Sequence, residues 1–556
     1  MCFIIWPRKN NFHSLIILYN QTMFKKLFTS FAKETNFIAI CIFIIMALGL
    51  IPLFNNQFKI APKNTTYTYA HIYMFDFYQY LSWMKDGADG KLLITSRYSP
   101  ETFSRNPVYL FYPALGFTTG KLGLPIFVGY TTARIFLAMA KLLMLYFFIA
   151  EIFKESKFRK TAFLIALFLP PLYHLFPLAM LFPQIASIDP INRTFFLPHD
   201  LLVTTLFLAG SVFFSRFLKE KKGTKNLIVS LICFIVASLA NPSMMAIFYL
   251  FLGVALGFYL LQKPEKRVFL GSLALLVCFP IFLYYQHLFE NTLPLSWMYS
   301  QQKTMVLNIN YWGYLRSLGP VIFLVPFALI YAIKKHDFLT NLVLSWAAIP
   351  FILFPLLGRS IPVSQERLFE MSHFIPLSIL GTIGFFEAVK TIKIKKEKKK
   401  KLLTTLTIFT FIGFSVPYFF ASEKFYLNMF KGPYVNIYIP NSTLEAFSWL
   451  DTNTPDESVV AAPYFTANML PAFTHNKVLF GHDFTTYQSS QRLAETEEIF
   501  KAETPKERVF NILKANKVSY LLVCPETSSL IKNHFMELGF ELVYSNNESS
   551  VFKTGY

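Results

Sequence analysis

The sequence predicts a mainly α, polytopic helical membrane bundle of about eleven transmembrane helices, followed by a small extracytoplasmic α/β domain. Three observations lead there. The 556 residues are 54% hydrophobic and 18% aromatic but only 15% charged, a composition of integral membrane proteins. Apolar runs of spanning length recur along the chain, separated by short loops rich in Lys and Arg, as in a bundle whose loop charges set its orientation. After Phe420 short apolar strand-like runs alternate with helical stretches, the pattern of an α/β unit. The net charge of +20 sits in the short loops, so it reports topology and gives no reason to expect nucleic acid as a partner. Five cysteines (Cys2, Cys41, Cys233, Cys278, Cys524) show no metal-type spacing, and neither a zinc site nor a disulfide framework is expected.

Hydropathy orders the spans and the positive-inside rule directs them. Residues 1–35 read as a cytoplasmic segment; no small-residue cleavage site marks a signal peptide, and Lys25, Lys26 and Lys33 precede the first span, Asn36–Phe54. Residues 36–420 form the transmembrane domain, with 55–125 as its first outer loop. Ile126–Phe153 returns to the basic KESKFRK (154–160). Thr161–Pro177 and His199–Leu218 go out and back to KEKKGTK (219–225). Asn226–Ala240 and Ser243–Gln262 form a hairpin through Asn241-Pro242, landing KPEKR (263–267) inside. Val268–Leu288 and Tyr314–Ile333 make the next pair, Phe338–Leu357 and 371–389 the one after, ending at KTIKIKKEKKKK (390–401) before Leu402–Phe420 exits. This order places the basic clusters beyond the first outer loop on one side only if Pro107–Leu122 does not cross, so that segment reads as a re-entrant or juxtamembrane helix. Residues 435–556 form the outer domain, with helices expected at Ser442–Thr452, Gln491–Phe500 and Lys506–Asn516. Its expected strands are SVVAAP (458–463), KVLFG (477–481), VSYLLVC (518–524) and FELVYS (540–545).

The first outer loop is too polar to span and too aromatic for a solvated linker, so it reads as a functional loop. Its chemical group is Asp76, in YAHIYMFDFYQYLSWMKDGADG. A carboxylate there can be a surface charge on an interfacial aromatic helix. It can equally act as a general base, accepting the proton of an attacking hydroxyl while a phosphate-linked sugar leaves. Arg134 and Lys141 stand seven apart in the second span, on one helix face. Snorkelling suits Arg134 better than Lys141; a bundle-facing pair that binds an anionic headgroup or a buried carboxylate suits both.

The order of spanning helix, aromatic loop with a single Asp, Gly-containing turn, Asn106-Pro107-Val-Tyr-Leu-Phe-Tyr-Pro-Ala-Leu-Gly116 and a helix opening with Thr132-Ala133-Arg134 resembles the GT-C glycosyltransferases. That superfamily includes the protein O-mannosyltransferase and aminoarabinose transferase types and bacterial relatives. The resemblance implies a catalytic acid in the first outer loop, here Asp76, and a juxtamembrane helix at the Pro-Tyr-Leu-type segment. Many members carry a second acidic residue beside the first; Phe75 and Phe77 flank Asp76 here, so a divalent metal is not supported and no cofactor is expected.

Further candidates lie on the same expected side. Loop 178–200 brings Asp189, Arg193, His199 and Asp200; Asp200 can cap a helix, and His199 can bind phosphate or move a proton. Arg359, Glu366, Arg367, Glu370 and His373 gather in 358–373. Arg367, Glu370 and His373 recur every three residues, which allows an intrahelical pair or, as the resemblance to late GT-C helices implies for Arg367, a clamp on a lipid phosphate. FGHDFTTYQSSQR holds His482, Asp483 and Thr485; His482 organises the domain or serves as an accessory group.

Together these readings point to an inner-membrane glycosyltransferase moving a sugar from a polyprenyl-phosphate-linked donor to a lipid, glycan or protein acceptor. Asp76 would be the base and Arg367, Arg359, Arg134, His199 and Lys141 the donor-phosphate groups, with Arg193, Asp189 and His482 near the acceptor. A transporter or flippase of a lipid-linked saccharide, or a non-catalytic subunit of an envelope polysaccharide system, is the rival reading.

Overall fold

The structure is a computed structural model. It describes residues 34–71, 73–169, 190–220, 223–304, 315, 318–356, 371–391, 397–429, 437–527 and 529–556. Residues 1–33, the second part of the expected third span (170–177), and the segment holding Arg359, Glu366, Arg367 and Glu370 lie outside the described residues, as does Asp189.

The chain is an integral membrane protein. Among the described residues five helical segments are long and apolar enough to cross a bilayer: Thr35–Ile60, Ile126–Ile152, Pro198–Lys219, Pro242–Gln262 and Lys266–Asn291. In chain order the helices used below are α1 (Thr35–Asn55), α2 (Met74–Ala88), α3 (Phe111–Lys121), α4 (Ile126–Ile152), α5 (Ser156–Phe168), α6 (Pro190–Thr194) and α7 (Pro198–Lys219). They continue with α8 (Thr224–Ala240), α9 (Pro242–Gln262), α10 (Lys266–Leu275), α11 (Phe279–Asn291) and α12 (Leu295–Thr304). The remaining bundle helices are α13 (Val325–Lys334), α14 (Phe338–Leu353), α15 (Phe374–Thr391) and α16 (Glu397–Met429).

Helices in lipid associate through close packing and a few buried polar contacts, and both are present. The Ser230 hydroxyl on α8 donates to the Gly210 carbonyl of α7 at 2.8 Å. Phe207 of α7 stacks on Phe248 of α9 at 4.0 Å, and Trp346 of α14 meets both rings edge-on. The buried Trp346 indole N–H needs an acceptor and finds the Met371 carbonyl at 2.9 Å.

Helices α2 and α3 lie between the first two spans. At 11 residues, α3 is about 16 Å long, too short to cross a hydrocarbon core of about 30 Å. It packs backbone-on-backbone against α2. A Cβ added at Gly116 would fall inside contact distance of the Met84 carbonyl, and one at Gly87 would do the same to the carbonyl of Pro113.

The carboxyl-terminal region is an α/β unit. Its helices are α17 (Asn441–Asn453), α18 (Tyr464–Phe473), α19 (Ser489–Ile499), α20 (Lys506–Ala515) and α21 (Ser529–Glu537). The strands are β3 (Val459–Ala461), β4 (Lys477–Val478), β5 (Val518–Val523), β6 (Glu541–Ser545) and β7 (Ser550–Lys553), in the order β4-β3-β5-β7-β6. The first three are parallel, and β7 is antiparallel to both its neighbours. Sequence periodicity located β3 to β6 but not β7, a four-residue strand directly after a turn, nor α18, whose Pro471 lies inside the helix.

The first loop and this unit are joined by backbone pairing. Strand β1 (Thr65–Tyr67) runs antiparallel to β2 (Tyr438–Pro440). The edge strand β4 is closed by the same loop, since the Val478 N–H donates to the Arg97 carbonyl at 2.9 Å.

The glycine contacts give a test. Gly116→Ala forces α2 and α3 apart and should cost about 1–3 kcal/mol, read as a lowered thermal midpoint of the detergent-solubilised protein. Gly253→Ala, with open space around the new Cβ, should be neutral or slightly stabilising.

Candidate functional site

Helix α2 opens without a side-chain cap, and Asp76 lies in its first turn, where the unpaired N–H groups favour an anion. The residues that follow, Phe77, Tyr78, Tyr80 and Leu81, are buried, whereas the Asp76 side chain keeps 36% of its exposure. The half-open carboxylate is met from the carboxyl-terminal unit by His482, whose side chain is only 3% exposed and whose Nε2 stands 3.1 Å from Asp76 Oδ1. The Phe484 backbone N–H donates to His482 Nδ1 at 3.2 Å. In the neutral ring Nε2 therefore carries the hydrogen and donates to the carboxylate. Thr486 fixes the loop: its hydroxyl accepts from the His482 N–H at 3.2 Å and donates to the Tyr98 carbonyl at 2.7 Å.

Aromatic rings complete this corner. Phe75 lies near-parallel to Tyr464 at 5.0 Å and to Phe465 at 5.9 Å, both from the start of α18. Burial first, then the Asp483 carboxylate and Asp76, push the Tyr464 phenol above its ordinary value of 10.0. Asn468 of α18 donates to the Gly481 carbonyl at 2.8 Å, which holds the His482 loop against that helix.

A second, buried cluster lies behind α2. The Tyr112 hydroxyl is 2.6 Å from His199 Nδ1, and His199 Nε2 is 3.3 Å from Asp200 Oδ1. The Asn241 amide donates to the same Asp200 oxygen at 3.0 Å. Asp200 is thus bound to the α8–α9 hairpin, and α7 has no side-chain cap. Tyr80 lies flat on Tyr112 at 4.3 Å, and Tyr80 and Tyr109 turn their edges to the His199 ring. His71 Nε2 is 2.8 Å from the Tyr130 hydroxyl; burial above all, with Arg134 nearby, drives His71 well below 6.5.

Arg134 and Lys141 both face inward, at 7% and 3% exposed, which sets snorkelling aside. Arg134 Nε donates to the Phe195 and Phe196 carbonyls at 2.6 and 3.2 Å. Lys141 Nζ donates to the Arg193 carbonyl at 3.0 Å and to Ser372 Oγ at 3.3 Å. Arg193 itself donates to the Leu169 carbonyl at 3.3 Å and lies over the Phe374 ring at 4.3 Å. His373 is buried, with Nε2 2.9 Å from the Ala347 carbonyl. These side chains tether segment 190–197 and the start of α15 to the bundle. Arg359, Arg367 and Asp189 lie outside the described residues. Among the described residues no group of three or more His, Cys, Asp or Glu is placed to hold a metal.

A clamp that the sequence did not suggest lies at the other end of α2. His475 Nε2 is 2.8 Å from Asp89 and its Nδ1 2.6 Å from Asp451, while Lys85 reaches Asp451 at 3.3 Å. Hydrogen bonds that the His475 ring donates to Asp451 and then Asp89 raise His475 from 6.5 to about 9. For the two carboxyls burial is the largest influence and works upward. The His475 hydrogen bond and the Lys85 and His475 charges together outweigh it and hold both below 3.8.

No protein-family model matches the chain, and no curated protein does. Solved structures do match, and they define a class: the chain is a polytopic membrane protein with the fold of the GT-C glycosyltransferases. Archaeal oligosaccharyltransferase AglB from Archaeoglobus fulgidus, solved with an inhibitory peptide and a dolichol-phosphate, aligns at a TM-score of 0.52 and 11% identity, over 89% of this chain and 70% of that one. ArnT from Cupriavidus metallidurans, bound to undecaprenyl phosphate, aligns at 0.52 and 11% over 93% and 98%. The arabinofuranosyltransferase AftD from Mycobacteria aligns at 0.59 and 14% over 94% of this chain but only 40% of its own length. At such identities the likeness establishes the fold.

The clamp predicts a pH window. The His475 contribution is fully present below 6.5 and is lost as pH rises through about 9. That of Asp89 and Asp451 is present above 3.8 and is lost as pH falls through their lowered values. Hydrogen-exchange protection in 85–97, corrected for the intrinsic pH dependence of exchange, should therefore be greatest between these limits. His475→Ala should remove the alkaline limb and cost about 1.5–3 kcal/mol; an unchanged alkaline limb would show that another group sets it.

Proposed function

We propose that the protein is a membrane glycosyltransferase that transfers a sugar from a polyprenyl-phosphate-linked donor to an acceptor hydroxyl, with Asp76 as the general base. The observation that carries this is the Asp76–His482 contact: a half-exposed carboxylate with one oxygen fixed by a buried imidazole. The fold shared with AglB and ArnT, proteins solved with dolichol-phosphate and undecaprenyl phosphate, supports the donor class.

In the reaction the acceptor O–H gives its proton to Asp76 while its oxygen forms a bond to the anomeric carbon. The bond from that carbon to the phosphate oxygen breaks, and its electron pair leaves with the lipid phosphate. Attack opposite the leaving group inverts the anomeric centre. His482 holds the base in one orientation, which contributes by removing misaligned arrangements before the reaction begins. Charge grows on the departing phosphate, and cations placed there favour the transition state over the ground state. Arg367 and Arg359 are the groups proposed for that task, with His199. Arg134 and Lys141 act one step back, shaping the 190–197 segment. The reaction site and the α/β unit lie on the extracytoplasmic side under the charge-derived topology.

Asp76→Asn keeps the shape and removes the base. It should lower transfer about 10²–10⁴-fold, measured as polyprenyl phosphate released from polyprenyl-phosphate sugars by the protein in liposomes, while the thermal midpoint stays close to that of the parent. Transfer at the parent rate would exclude Asp76 as the base. Translocation of the lipid-linked sugar by both proteins, with no release of polyprenyl phosphate by either, would favour a transporter.

A further inference from the structure

Beside the proposed base lies a surface that the reaction itself does not use. Phe75, Tyr464 and Phe465 form a triangle of near-parallel rings, with centroids 5.0, 5.9 and 5.5 Å apart and interplanar angles of 12°, 21° and 30°. Phe465 is 40% exposed, although rings of this size are normally covered. Phe75 immediately precedes Asp76, so a molecule resting on the triangle is delivered to the carboxylate.

The charges around the rings are negative. Asp76 adjoins Phe75, and Asp483 faces Tyr464. The Glu526 carboxylate accepts from the Phe465 and Thr466 backbone N–H groups at 3.2 and 2.9 Å and from the Thr466 hydroxyl at 2.8 Å. Glu526 thereby occupies the N-terminus of α18, which would otherwise attract an anion. A phosphate or carboxylate would be repelled here, whereas hydroxyl groups can donate to the carboxylates. A peptide chain would seek a strand edge, but the nearby edge of β4 is already taken by the Arg97 carbonyl.

From the exposed Phe465 ring beside half-buried Phe75 and Tyr464, rimming carboxylates, a capped helix and a closed strand edge, we infer that Phe75, Tyr464 and Phe465 form a subsite for an uncharged or amine-bearing saccharide, the acceptor of the transfer. The C–H face of the sugar packs on the rings, and its hydroxyls donate to Asp483 and Asp76. This deepens the glycosyltransferase reading and rests on it for the word acceptor, but binding itself can be measured without turnover.

Saturation-transfer NMR on the full-length protein in nanodiscs would use methyl glycosides of glucose, mannose, galactose, glucosamine and arabinofuranose, with a Ser- and Thr-containing tetrapeptide as the contrast. At least one glycoside should receive saturation mainly on one ring face. Phe465→Leu keeps the apolar volume of an exposed side chain and removes the ring, and should weaken that binding about tenfold. Lys506→Ala, on the remote helix α20, should leave it unchanged. Absence of saturation for every glycoside, or equal saturation in the parent and Phe465→Leu, overturns the subsite. Phe465-dependent binding of the tetrapeptide alone also overturns it, in favour of a peptide acceptor. Asp76→Asn separates the two proposals: glycoside binding that survives while transfer is lost supports both, and binding that depends on Phe465 with transfer intact in Asp76→Asn removes the base but keeps the subsite.

Discussion

The guanidinium of Arg97 is the joint on which the rest of the site depends. It is 3% exposed, and burying a charge is costly unless it is paired and hydrogen-bonded. Here it pairs with Asp86 at 3.4 Å and donates to the Ser82 carbonyl at 2.7 Å, both on α2, and to the Thr474 carbonyl at 2.6 Å, just past the end of α18. Its own carbonyl accepts from Val478 of β4. One residue thus ties the last turns of α2 to α18, against which the His482 loop is held, and to β4, from which that loop continues. Asp76 and Asp86 lie ten residues apart on α2, about 15 Å along its axis. A small tilt at the Arg97 end therefore swings Asp76 away from His482, and an orientation error of that kind is enough to disable a positioned base.

Much of this architecture was legible in the sequence, and the parts that were not share a cause. Spans such as Ile126–Ile152 and Pro198–Lys219 announce themselves through continuous apolar runs, because each must satisfy its backbone internally and meet lipid on its own. The strands at 459–461 and 518–523 were visible for a similar local reason, being short apolar runs bounded by turn residues. Asp76 stood out as an acid isolated among aromatics. His482 stood among the accessory candidates, but its pairing with Asp76 was not legible, because the two are 406 positions apart and a histidine in a Gly-His-Asp stretch carries no local mark of what it will face. The His475 clamp and the Phe75–Tyr464–Phe465 triangle were hidden in the same way: each is made by tertiary contact between the first loop and a domain 366 or more residues later.

The intramembrane cations show how a correct observation can carry more than one meaning. Arg134 and Lys141 face the bundle interior, as the cost of exposing them to lipid requires. Their donors, however, are directed at the carbonyls of Arg193, Phe195 and Phe196. Backbone that leaves helical geometry at membrane depth has carbonyls with no helical partner, and it is tolerated only where protein supplies donors. The two cations meet that need for the segment leading into α7. They thereby hold His199 and Asp200, at the start of that helix, against Tyr112 and Asn241. Their influence on chemistry is through position.

A site divided between a membrane loop and a folded outer unit places different demands on its two halves. The loop half is rigid by packing: α2 and α3 touch through glycine at Gly87 and Gly116, and the aromatic floor of Tyr80, Tyr109 and Tyr112 lies beneath. The outer half supplies His482 and the exposed rings of α18 from loops and a helix start, where substitutions can change the surface without disturbing the bundle. The Asp76 face therefore belongs to the half in which any shift breaks close packing. Under the proposed reaction, specificity for the acceptor would be written on the carboxyl-terminal half. The exposed Phe465 ring, adjacent to the base yet anchored by a helix whose N–H groups are already satisfied by Glu526, lies where such specificity can vary at little cost to stability.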